Sequence, residues 1–254
     1  MAALQRLAAR SAASSLLLAA IAALVGGAWI ALWLWERSPE ARFLHHVGAT
    51  GAPQAVEIAL FVAGWTVMIV AMMLPTTMPL LSTFAALVGR RPRAPMLIAL
   101  MIGGYLATWV GFGLAVYGAD RVLHAIVDAM PWLAAHPQLI AGGVLLAGGA
   151  YQFTPLKYRC LDECRSPLGF VLSRWTGTRP RFEALRIGVA HGLFCLGCCW
   201  SLMLVMFALG LGNLAWMFAL AVAMTVEKNL PIGRGIGRPL GALLLLAGIA
   251  TLAG

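Results

Sequence analysis

The chain has 254 residues, 61% of them hydrophobic and only 11% charged. A soluble domain carries roughly a quarter charged residues, so the composition argues against one and points to one integral membrane domain over 1–254, an all-α polytopic bundle. The formal charge of +9 does not signal nucleic acid, because the cations cluster between apolar runs, where they report topology.

Arg6 and Arg10 precede an apolar run over 12–35. The run is too long for a signal-peptide core and ends in no small-residue cleavage site, so it reads as a retained helix one. Trp29, Trp33 and Trp35 suit a membrane interface at its far end. A polar loop to residue 53 holds His45 and His46, which as sequence neighbours do not face one another on a helix and are not read as a site. Helix two is predicted over 56–74. Pro75 lacks an amide donor, so Met72-Met73-Leu74-Pro75 marks its kink or end. After Arg90, Arg91 and Arg93, helix three spans 96–118. The connection over 119–137 contains an amphipathic piece with Asp120, Arg121, His124 and Asp128, expected along the interface.

Helix four, over 139–153, is rich in Gly and Ala, and small residues let backbones approach closely in lipid. The segment 154–186 reads as a cytoplasmic loop carrying Cys160 and Cys164. Helix five covers 187–209. A turn through Gly210, Leu211, Gly212 and Asn213 leads to helix six, ending near Val226, and a short helix seven begins near Pro239. Gly233-Arg234-Gly235-Ile236-Gly237 follows no strand, so it is not read as a phosphate loop.

With seven spans, 15 of the 18 Lys and Arg residues fall on one side. Positive residues mark the cytoplasmic side, so the N-terminus is expected inside and the protein in a bacterial inner membrane. Cys160 and Cys164 then meet a reducing compartment, which favours ligands or exchange partners over a structural disulfide.

The chemistry concentrates in helix five. At 100° per residue, Cys195, Cys198 and Cys199 fall about 40°, −20° and 80° from His191, so three thiols and one imidazole share a face. Buried cysteine often serves as a small hydrophobe, but three within five residues beside a histidine fit a thiophilic ion, Cu(I) before zinc. They also fit thiol–disulfide exchange. Trp65, Met68 and Met72 share a face of helix two, as do Asn213, Met217, Met224 and Glu227 of helix six, and Met206 lies near the His191 face. Met is an ordinary core filler as well as a soft ligand. Glu227 reads first as an ion pair with Lys228 at the interface, and second as a proton- or ion-handling group.

Several motifs together resemble a known family. They are Ala71-Met72-Met73-Leu74-Pro75, Tyr151 with Pro155-Leu156-Lys157, Cys160-Leu161-x-x-Cys164-Arg165-x-Pro167, Gly188-x-x-x-Gly192, Cys195-x-Gly197-Cys198-Cys199-Trp200-x-Leu202-Met203, Asn213-x-x-Trp216-Met217 and Glu227-Lys228. The set is similar to a bacterial domain-of-unknown-function family of predicted metal-binding integral membrane proteins. The resemblance implies metal binding and puts weight on Met72, Met73, Cys160, Cys164, Cys195, Cys198, Cys199, Glu227 and Lys228. Gly212 stands before Asn213, where the family pattern leads one to expect Met, so the turn is not read as a ligand. In ligand layout alone the chain is also similar to bacterial mercury-uptake membrane proteins.

Three functions stay open on these residues: a carrier or chaperone for a thiophilic ion, passing it to a donor or acceptor protein; a transmembrane thiol–disulfide relay; and a structural or assembly subunit of a larger membrane complex. There is no hydrolytic triad and no haem-attachment C-x-x-C-H, which argues against an enzyme.

Overall fold

The computed structural model describes residues 2–38, 53–208 and 214–253. His45, His46 and the turn through Gly212 and Asn213 lie outside the described residues. Among the described residues every regular element is helical: α1 (Ala2–Glu36), α2 (Gln54–Met72), a 3-10 turn (Pro75–Thr77), α3 (Met78–Val88), α4 (Ala94–Ala129), α5 (Pro131–Ala134), α6 (Pro137–Tyr151), α7 (Pro155–Arg165), α8 (Pro167–Leu172), α9 (Pro180–Ala208), α10 (Leu214–Asn229) and α11 (Gly233–Ala253).

Proline punctuates this list. It opens the 3-10 turn, α5, α6, α7, α8 and α9, where its fixed φ and missing N–H cost nothing. Each predicted helix has its counterpart, but α3 has no predicted one, α11 begins at Gly233 with Pro239 inside it and not near Pro239, and two further segments differ. Helix three does not stop at 118. With no breaker after Gly118, α4 continues to Ala129, and only Met130, held extended before Pro131, ends it. The amphipathic piece is therefore the last turns of α4, not a separate interfacial helix. The second difference is the segment 154–186. Most of it is helical, as α7, α8 and the first turns of α9.

Among the described residues five helices are long and apolar enough to cross a membrane: Leu16–Glu36, Gln54–Met72, Ala94–Ala129, Pro180–Met206 and Gly233–Ala253. A sixth results if α6 and α7, bent by 63° at their junction, count as one broken span. The predicted sixth helix, α10, has 16 residues among those described. The outward positions of these helices carry Leu16, Ile30, Leu243, Leu246 and Ile249, all more than half exposed.

The bundle centres on α9, which packs on α4, α6 and α7. Glu183 fixes its entry: the carboxylate accepts from the backbone N–H groups of Thr176 (2.9 Å), Gly177 (2.7 Å) and Arg179 (3.0 Å). An acceptor at a helix N-terminus satisfies donors that have no partner within the helix. Close approach of α9 to α4 needs glycine at Gly188, where a Cβ would stand 2.0 Å from the Met101 carbonyl oxygen. Trp65 of α2 lies against Gly113 and donates from its ring nitrogen to the Trp109 carbonyl of α4 at 2.9 Å. That contact takes Trp65 to the α2–α4 seam.

Candidate metal centre

α9 carries the thiols into the interior. Cys195, Cys198 and Cys199 are each no more than 1% exposed. The sulfurs of Cys198 and Cys199 donate back to the Cys195 carbonyl, at 3.0 and 2.9 Å, a spacing that follows from the i to i+3 and i to i+4 geometry of the helix. All five cysteines are free thiols.

Three other elements supply partners. The break at Pro75 turns the chain just after Met73 caps α2, and the Met73 thioether comes within 3.9 Å of Cys199 Sγ. Met72 is fully buried in the core. From α4, the Tyr105 hydroxyl lies 3.2 Å from Cys195 Sγ. From α10, the Lys228 ammonium donates to Cys195 Sγ at 2.9 Å, reaches Cys199 Sγ at 3.7 Å and donates to Thr76 Oγ1 at 3.3 Å. Lys228 is 5% exposed, and its closest polar partners are sulfur and hydroxyl. An ammonium has only protons to give, so the Cys195 sulfur is the acceptor in this contact.

α7 adds the second cysteine pair. Cys160 is buried with its sulfur 2.5 Å from where a Cβ on residue 197 would stand, so Gly197 makes room for it. The half-buried Cys164 lies beside Cys198, thiol next to thiol. The pair in the segment 154–186 therefore packs directly on the thiol helix. Gly197 also accepts, at its carbonyl, a hydrogen bond from the Tyr151 hydroxyl of α6.

His191 sits apart from this contact set. Its ring stacks on Tyr105 at 5.7 Å between centroids and meets Phe170 edge-on at 5.5 Å. Its Nδ1 is buried with no hydrogen-bond partner. The ring lines a small cavity with Leu74, Thr77, Met101, Tyr105 and Gly188. Met68, Met206, Met217 and Met224 are buried core residues.

The expected Glu227–Lys228 pair is corrected by the structure. Successive residues on a helix point about 100° apart, and here they diverge to separate partners. Glu227 pairs with Lys157 of α7 at 2.6 Å, with both side chains 3% exposed or less. Lys157 also donates to Gln152, which in turn donates to Ser201 Oγ of α9 at 3.1 Å. Arg165 donates to the Glu227 carbonyl. An unbroken polar chain thus ties α6, α7, α9 and α10 together beside the thiols.

Sequence reasoning passed over Tyr105, Thr76 and Gln152. Tyr105 had a visible signal, since a tyrosine within a long apolar run needs a partner for its hydroxyl. Thr76 and Gln152 had none, because their roles depend on where Lys228 and Lys157 point.

Soft donors from three elements meet here, with Met73 Sδ and Cys199 Sγ 3.9 Å apart. Among the described residues no three of His, Cys, Asp and Glu already stand close enough together to hold a metal ion. A family model described as copper chaperone matches residues 62–251. The chain belongs to the copper chaperone family. The matched span takes in every residue of the site, from Met72 to Lys228. No curated protein and no solved structure matches the chain. Membership in the copper chaperone family makes the donor set interpretable: thiolate and thioether sulfur are the ligands that suit Cu(I).

Proposed function

We propose that the protein is a multi-pass carrier of Cu(I) in a bacterial inner membrane, holding its cargo at Cys195, Cys199 and Met73 and passing it by way of Cys198 to Cys164 and Cys160. The observation that carries this reading is the approach of Met73 Sδ to Cys199 Sγ at 3.9 Å, between two elements, beside Cys195. With metal–sulfur bonds of about 2.3 Å, two sulfurs at that separation subtend roughly 115–120° at a shared ion. That suits three-coordinate binding with Cys195 as the third donor. The Cys164–Cys198 contact supports an exit, since it joins the buried set to a half-buried thiol. The apolar outer face of the long helices supports the lipid bilayer as the surroundings. An acceptor protein or larger membrane complex would receive the ion, and no nucleic acid is involved.

The test is anaerobic competition of the detergent-purified protein against a chromophoric Cu(I) chelator. Cys195→Ser and Cys199→Ser are each expected to weaken Cu(I) binding by at least about tenfold, equivalent to 1.4 kcal/mol. Met73→Leu should weaken it less. Unchanged affinity in both serine variants removes the reading. The same Cys164–Cys198 contact gives the thiol–disulfide relay its one support, and trapping separates the two: a relay yields mixed disulfides with single-cysteine variants, and a copper carrier yields none.

A further inference from the structure

Lys228 holds an unusual position. Its ammonium is buried, in contact with Cys195 and Cys199, and shares no ion pair with a carboxylate among the described residues. The nearest buried carboxylate, on Glu227, is engaged by Lys157. The two lysines therefore differ in what balances them: Lys157 is matched inside the polar chain, and Lys228 is matched only by sulfur. Cys198 donates to the Cys195 carbonyl at 3.0 Å and makes no hydrogen bond to Lys228, whose sulfur partners are Cys195 and Cys199. The centre that Lys228 faces is one of two thiols and a neutral thioether.

We infer that Lys228 is the specificity-determining residue of this centre, selecting a monovalent soft cation over a divalent one by supplying one fixed positive charge. The inference rests on the Cu(I) reading above and deepens it. Two coordinating thiolates carry two negative charges. The ammonium and a monovalent ion cancel both, leaving the buried site neutral. A divalent ion in the same place leaves one positive charge with nothing to balance it, and an unbalanced charge away from water is costly. Thiolate sulfur alone does not draw this distinction, because it also binds zinc and other divalent thiophilic ions. Thr76 makes the arrangement workable. Its hydroxyl already accepts from the ammonium at 3.3 Å, so Lys228 keeps a hydrogen bond when it yields its place between the sulfurs to the incoming ion.

The experiment compares Cu(I) and Cd(II) affinities of the full chain in detergent, each by chelator competition under anaerobic conditions. Dithiothreitol, which has two thiols and no fixed cation, is the reference. The wild-type protein should favour Cu(I) over Cd(II) by a larger factor than dithiothreitol does. Lys228→Gln should reduce that factor at least about tenfold, and Lys228→Arg, which keeps the charge, should preserve most of it. A wild-type factor no larger than that of dithiothreitol overturns the inference without any variant having to fold. So does an unchanged factor in a folded Lys228→Gln protein, an outcome that leaves the Cu(I) reading above standing. A wild-type chain that binds no Cu(I) removes the functional reading and this inference together.

Discussion

Lys157 and Glu227 form an ion pair with essentially no access to water, 0% and 3% exposed at the side chain. Such a pair is a poor source of net stability, yet breaking it from one side is expensive, because the surviving charge stays buried. Lys157→Met is expected to cost about 3–5 kcal/mol, read as a drop in thermal midpoint in detergent. Lys157→Met combined with Glu227→Leu should recover much of the loss. If the double variant is no better than the single, the pair holds the fold by geometry and not by charge compensation. This pair also shows the limit of reading a site from sequence. The spacing of Cys195, Cys198 and Cys199 is a property of one helix and was legible. So was the presence of a carboxylate and an ammonium at 227 and 228. Which of them meets sulfur and which meets Lys157 is set by how α7 and α10 lean on α9, and no periodicity encodes that. The interfacial Glu227–Lys228 pair expected from adjacency gives way to two separate contacts.

Helix packing around α9 rests on small residues at the seam with α4. A Cβ at Gly188 would stand 2.0 Å from the backbone oxygen of Met101 and 3.0 Å from the backbone nitrogen of Tyr105. Neither atom can rotate away, so Gly188→Ala must separate the helices. Overpacking of this kind costs typically about 1–3 kcal/mol or more. The same shift would draw Tyr105 off Cys195, so the variant should lose Cu(I) affinity as well as stability. Gly103→Ala is the control: a Cβ there meets nothing within 4 Å. It should be neutral or stabilise by up to about 0.5–1 kcal/mol through helix propensity. Equal thermal midpoints for the two variants would sink the close-approach account. Most of the helices were legible for a related reason. Long apolar runs and proline starts are local signals, and they gave α1, α2, α6, α9 and α11 within a few residues at most ends. The extension of α4 to Ala129 and the folding of 154–186 into α7 and α8 were not legible. Both segments are polar enough to read as loops; the first continues α4 because no breaker follows Gly118, and the second packs on α9, as Cys160 does on Gly197.

At the scale of the whole molecule, two of the 15 cations assigned to one side, Lys157 and Lys228, are buried in the interior. They balance Glu227 and sulfur, so they say nothing of which way the chain is threaded. The bias of the rest survives their removal, and a tertiary contact supports it. Arg91 donates to the Gly177 carbonyl at 3.3 Å, and its guanidinium lies over the Trp175 ring at 5.3 Å. The connection before α4 and the connection before α9 therefore lie at one end of the bundle. Arg121, paired with Glu57 at 3.9 Å, lies near the far end of α4. Positive residues are retained in the cytoplasm, so the first end is expected inside and the second outside. Protease sites inserted after residues 92 and 178 should be cut only in inverted membrane vesicles, and one inserted after residue 135 only in right-side-out vesicles. Cleavage after 92 and 178 on opposite faces contradicts the Arg91–Gly177 contact itself. Cleavage at all three on one face leaves the bundle intact and refutes α4 as a complete crossing.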